Sequence, residues 1–168
     1  MRAAAILLIV TACSVSQLGA QQASRPIDPP QGARLVLQAK GAGVQIYSCT
    51  NTPEGLKWVL KAPDAKLLGP SGEEIGTHFA GPTWKLTDGS QVQGELVAKQ
   101  PSPDEHSVPW LLLRAKAGTA SGEFANVAFI RRTETHGGAA PDDGCENAAQ
   151  VDKTIPIPYT AIYSFYGK

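Results

Sequence analysis

Neither sign of charge dominates this 168-residue chain: 15 Lys and Arg stand against 15 Asp and Glu. Nucleic-acid binders carry a basic patch or stripe, and no run of like charges supplies one here, so nucleic acid is not an expected partner. The three histidines, His78, His106 and His136, lie in different segments. Isolated imidazoles of this kind read as hydrogen-bonded or surface groups, and neither a metal nor a cofactor is expected. Named catalytic motifs are absent as well. Gly41-Ala42-Gly43 lacks the third glycine and following helix of a dinucleotide loop, and no GxSxG, HExxH or phosphate loop occurs. Asp142-Asp143-Gly144-Cys145-Glu146 gathers three carboxylates without completing a calcium loop, and reads as a solvated turn. These absences exclude familiar chemistries only.

Long apolar runs are missing too. After Ala20 no stretch is long and apolar enough to span a membrane as a helix. Residues 1–20 read instead as a signal peptide. Arg2 gives the positive start, Ala3 to Ala12 a short uncharged apolar stretch, and Gly19-Ala20 a small-residue cleavage point. A second reading of the same residues is a lipoprotein leader ending before Cys13, which would then be lipidated and would give the only membrane attachment. Either way the protein is expected to be exported, periplasmic or extracellular.

Cysteine is scarce, and its scarcity is informative. With Cys13 discarded or lipidated, Cys49 and Cys145 remain in the domain. Two cysteines in an oxidising compartment read as one bridge. It would close a loop of roughly 100 residues, worth about 4–5 kcal/mol in the chain-entropy model. The alternative is two buried free thiols; a metal pair lacks any neighbouring Cys or His.

What is present is a β pattern. Residues 21–32 are polar and proline-rich, a flexible lead-in. Residues 33–168 then form one domain, long enough to bury about two-thirds of its unfolded surface. Alternation dominates it. Val44, Ile46 and Ser48 alternate with Gln45, Tyr47 and Cys49, while Leu56, Trp58 and Leu60 face away from Lys57 and Lys61. Over Gln91 to Lys99 the inward set is Val92, Leu96 and Ala98. Trp110 to Leu113 is continuously apolar, as in a strand covered on both faces, and Tyr159 to Tyr166 closes the chain. Pro156 and Pro158 are expected outside that last ladder. Hairpins are expected around Gly72 and Gly89, where glycine accepts a positive φ. Phe124 to Arg132 fits a short helix or a strand, with strand preferred. The fold class is mainly β: a single-domain antiparallel β-sandwich or barrel of roughly eight to ten strands, with at most one or two short helices.

The candidate site lies in Gly76 to Ser90. His78, Trp84 and Asp88 fall within eleven residues, framed by Gly81-Pro82. A rigid aromatic beside a titratable imidazole suits the wall of a pocket for a small molecule or a sugar, with His136 as a partner across the fold. This gives a non-catalytic binding protein. One rival is a hydrolase in which Asp88 orients His78 as base for Thr83 or Ser90. Another is a structural envelope component acting through protein contacts. The bland reading makes Trp84 core and Gly81-Pro82 a bend between strands.

An ordered set of motifs runs through the domain: Gly43 to Cys49, Trp58, Ala62-Pro63, Ala80 to Trp84, Asp88 to Ser90, Pro109 to Leu113, Gly137-Gly138, Ala140-Pro141, Cys145, and Pro158 to Ala161 with Tyr163 and Phe165-Tyr166. Together these resemble the exported bacterial and fungal family known as domain of unknown function 3455, over Ala33 to Tyr166. The resemblance implies secretion and a pairing of Cys49 with Cys145. It brings no activity, substrate or catalytic residue.

Overall fold

The computed structural model describes residues 26–168; the expected leader over 1–20, with Cys13, lies outside them. Eight antiparallel strands follow one another round a closed barrel, and the last returns to the first. They are β1 (Arg34–Thr52), β2 (Gly55–Leu68), β3 (Glu74–Phe79), β4 (Thr83–Leu86), β5 (Gln91–Gln100), β6 (Trp110–Ala115), β7 (Val127–Gly137) and β8 (Thr154–Gly167). Two single 3-10 turns, Gly122–Phe124 and Ala148–Gln150, complete the described chain. Of the two architectures expected, the barrel forms. The connections after β1, β3, β5 and β7 lie at one end, here called upper; those after β2, β4 and β6 lie at the lower end.

The turn chemistry works as read. Gly72 and Gly89 take φ of 84° and 91°, and each closes a hairpin. At the second, the Asp88 carboxylate accepts from Ser90 N at 2.8 Å and Ser90 Oγ at 2.7 Å. Eight strands enclose an interior just wide enough for side chains to fill. Phe165, Phe124, Ile130, Leu113, Val92, Leu86 and Leu67 fill the lower half.

Four expectations change. Leu96, expected inward, is 56% exposed, because β4 accompanies β5 only as far as Gln93 and a bulge follows Leu96. Pro156 and Pro158 lie inside β8, opposite Ile46 and Val44 of β1. They are tolerated because β7 stops at Gly137, opposite Tyr159, which leaves that part of β8 an edge needing no donor on its free side. Phe124 to Arg132 divides: Phe124 ends a 3-10 turn and the strand starts at Val127. The lead-in is not free from residue 26 on. Ile27 is fully buried, and Asp28 pairs with Arg131 at 2.9 Å. Arg131 stands between Ser164 and Leu112 in register, and both of these outward residues are buried.

The wall is uneven. β3 reaches β2 only from Ala65 to Leu68, so Gly55–Asp64 bonds to β1 alone and projects past the upper rim. Leu60 shares the inner face with Tyr47 yet stands half exposed there.

Candidate functional site

The β3–β4 hairpin sets His78 directly opposite Trp84. Their rings stack 4.5 Å apart and 7° from parallel, and Tyr163 meets both edge-on at 5.0 and 5.5 Å. At 3% and 1% exposure the pair is barrel core, not a pocket wall. Gly81, at φ 125°, makes the bend between the strands, so the bland reading of this stretch describes it. His78 Nδ1 lies 2.9 Å from the Thr83 carbonyl, which can only accept, so that nitrogen carries the proton. Burial pushes the imidazole down to about 4; the bond to Thr83 opposes the shift and the Arg132 charge adds to it. His78 is therefore neutral near pH 7.

Asp88 does not orient it. The carboxylate is exposed at the lower end and engaged by Ser90, while His78 sits toward the upper end, inside. The two hydroxyls considered as nucleophiles also have structural work: Thr83 Oγ1 donates to Ala80 O, and Ser90 Oγ accepts from Glu123 N. His136 is exposed on the outer face of β7, beside Thr160 of β8. Of the four expected residues, His78 and Trp84 come together and Asp88 and His136 stand apart from them. Adjacency in sequence misled because the hairpin pairs 78 with 84 and carries 88 past Leu86 into the next turn. Among the described residues, no group of three His, Cys, Asp or Glu is placed to hold a metal ion.

Above the aromatic core the interior turns polar. Gln45, Tyr47, His78, Arg132, Tyr159 and Tyr163 are all buried there. Tyr159 and Tyr163 share a hydroxyl bond of 3.1 Å, and Tyr47 donates to Gly138 O at 2.7 Å. Arg132 donates from Nε and Nη2 to Pro109 O at 3.1 and 2.8 Å. Burial raises all three tyrosine hydroxyls above their ordinary value, against the pull of the Arg132 charge, so they stay neutral. Neither amide atom of Gln45 makes a well-formed hydrogen bond, although the amide adjoins the Tyr159 hydroxyl. Leaving a buried polar group unbonded costs about 1–3 kcal/mol.

Sequence reading missed Gln45 and Arg132, although one signal was available. Alternation puts Gln45 in the same set as Tyr47 and Cys49, and the bridged Cys49 points inward. That bridge joins Cys49 of β1 to Cys145 of the upper β7–β8 loop, with Cα atoms 5.5 Å apart and a sequence separation of 96. Trp58 Nε1 donates to Asp143 O at 2.7 Å beside it, and Cys49 exchanges backbone bonds with Asp152 and Lys153. The loop is thereby fixed over the polar half.

A second feature opens at the lower end, between the β6–β7 loop and the strands beside it. It is a groove of about 790 Å³ lined by Arg34, Arg114, Lys116 and Lys168, with apolar walls that include Val36 and Phe129. No carboxylate side chain lines it, and none of its four cations is in an ion pair among the described residues. Glu95 faces Arg114 across the β5–β6 ladder, outside the groove lining. Leu35 and Val36 beside it are 55% and 44% exposed.

These features define a class: a closed up-and-down β-barrel with a filled interior, a disulfide-fixed upper rim and a cationic groove below. A family model described as protein of unknown function (DUF3455) matches residues 69–167, and the chain belongs to that family. No curated protein and no solved structure matches.

Proposed function

We propose that this is an exported, non-catalytic binding protein whose ligand is a small molecule with an apolar body and an anionic head, held in the lower groove. The observation that carries the reading is the pairing of volume with charge. A space of about 790 Å³ with four cationic side chains outside any ion pair and no acidic side chain in its lining attracts an anion. Its size falls within the usual range for small-molecule sites, roughly 300–1,000 Å³, and its alanine, valine and phenylalanine walls suit an aliphatic body better than a sugar. Export rests on the leader over residues 1–20 and is compatible with the Cys49–Cys145 bridge. Mass spectrometry of the processed N-terminus separates cleavage near Ala20 from lipidation at Cys13.

The test is titration with a fluorescent long-chain carboxylate, with an acidic oligosaccharide as comparison. Reversing two rim charges, Arg114→Glu with Lys116→Glu, is expected to weaken carboxylate binding by about tenfold or more, since each tenfold corresponds to only 1.4 kcal/mol. An unchanged dissociation constant ends the proposal.

One observation favours the envelope-contact reading: the unpaired Gly55–Asp64 edge, with Val59 and Leu60 half exposed. Lys57 and Lys61 on that edge oppose pairing with a second copy, because antiparallel approach about Val59 sets like charges opposite. The protein is expected to sediment as a monomer, and a self-associating species would revive that reading.

A further inference from the structure

We propose that the upper interior of the barrel is a closed binding site for one small monovalent anion of halide size, held by Arg132 and the side-chain amide of Gln45. Two independent observations converge on it. Gln45 is completely buried, and neither Oε1 nor Nε2 makes a well-formed hydrogen bond, although the amide stands close enough to the Tyr159 hydroxyl to act on it. Arg132 is buried, its hydrogen bonds go to neutral oxygens, the Pro109 carbonyl and the Tyr163 hydroxyl, and no ion pair joins it to a carboxylate among the described residues. Buried charges are ordinarily paired and buried amides ordinarily bonded, so each group lacks what an anion supplies.

The groups adjoin one another. Arg132 faces Tyr163 across the β7–β8 ladder, and Tyr163 Oη is 3.1 Å from Tyr159 Oη. Tyr159 and Gln45 both lie against Gly138: a Cβ built there would stand 2.7 Å from Tyr159 Cβ and 3.1 Å from Gln45 Cγ. Two hydroxyls sharing a single bond keep one O–H to donate elsewhere. The neighbouring imidazole and phenols are neutral, which leaves the cluster with the single positive charge of Arg132. An anion placed among them gains a counter-charge from Arg132 and donors from the Gln45 amide and the tyrosine pair. Trp84, His78 and Tyr163 fill the space below, which leaves no room there for an organic molecule.

The experiment is thermal unfolding of the whole protein at fixed pH and ionic strength, with chloride exchanged for gluconate. Chloride and bromide are expected to raise the melting temperature, the folded-to-unfolded ratio growing about tenfold for each tenfold rise in halide above its dissociation constant. Gln45→Glu supplies a counter-charge to Arg132 from within the chain; that variant is expected to be insensitive to halide. The lower groove also attracts anions, and this variant leaves the groove intact, so the comparison assigns any halide effect to one end or the other. Crystals grown in bromide are expected to show an anomalous peak within hydrogen-bond reach of Gln45 Nε2 and Arg132. Equal melting in chloride and gluconate, with only water against Gln45, overturns the proposal. So does a full halide response in Gln45→Glu. Should that variant fail to fold, the bromide peak in the unaltered protein decides alone.

Discussion

Lowering the pH from 7.5 to 5 is expected to remove about 2 kcal/mol of folding stability through His78 alone, worked from a folded value of about 4 against the ordinary 6.5. The sign follows from which state takes the proton first. A buried base with a depressed value stays neutral in the fold, while the unfolded chain binds a proton below pH 6.5. Stability is therefore complete above that pH, falls as the pH drops, and stops falling near pH 4. The slope between pH 6 and 4.5 is about 1.2 kcal/mol per pH unit. Asp88 and Asp104, whose carboxylates Ser90 and Ser107 hold below their ordinary range, lose their contributions only at still lower pH, so the window is clear of them. Urea denaturation across this window, at constant chloride, reads the slope directly. His78→Phe keeps a ring on Trp84 but carries no proton. It leaves the Thr83 carbonyl without its donor and costs about 1–3 kcal/mol near pH 7.5, and because its slope is flatter the gap narrows as the pH falls. Identical slopes in the two proteins, or an imidazole resonance of His78 titrating near 6.5, would refute the burial argument.

Three other perturbations read the fold. Gly43→Ala would drive its new carbon into the Asp64 carbonyl and the Ala65 backbone of β2. A cost of about 3 kcal/mol or more is expected in chemical denaturation, against about 1 kcal/mol at the open turn residue Gly72, where only the positive φ opposes the side chain. Cys49→Ala with Cys145→Ala should lower stability by about 2–5 kcal/mol with little change in the far-ultraviolet spectrum. Ile27→Ala should cost about 2–4 kcal/mol if residues 26–32 belong to the folded unit; a loss below 0.5 kcal/mol would return them to the status of a linker.

Alternation and turn chemistry located most strands, because period two and a glycine with positive φ are local properties. They could not say how many strands lie beside a residue. Leu96 and Leu60 carry the pattern of inward residues, but β4 and β3 end before reaching them, and strand ends are set by the neighbouring hairpin. Nor does alternation say which set points inward. Val44 and Ile46 look more like core than Gln45, yet the half-cystine at 49 and the close approach of Gly43 to β2 commit the odd set to the interior. The site suffered most. His78 and Trp84 are chemically suggestive in sequence and structurally mundane once stacked under Tyr163. The cations of the lower groove are drawn from β1, the end of β6, the start of the β6–β7 loop and the residue after β8, a convergence no linear spacing signals.

The two proposed sites occupy opposite ends of one wall, which makes their independence testable. On β8, Gln45 stands opposite Ile157, while the Arg114 ladder runs through Phe129 to Tyr166. Nine residues of strand separate those positions, about 30 Å at 3.3 Å per residue. Arg132, opposite Tyr163, lies nearer the groove, but substitutions at Gln45 and Arg114, so far apart and with no shared partner, should contribute additively to within about 0.5 kcal/mol. Between Gln45 and Arg114 lie Tyr163 and Phe165, packed edge-on against Trp84, and both are buried. Combining Gln45→Glu with Arg114→Glu should therefore give the sum of the separate stability changes, and the carboxylate affinity of the groove should ignore the substitution at Gln45. A coupling well above 0.5 kcal/mol would mean that the aromatic layer transmits strain between the ends, and that the groove and the polar chamber behave as one site rather than two.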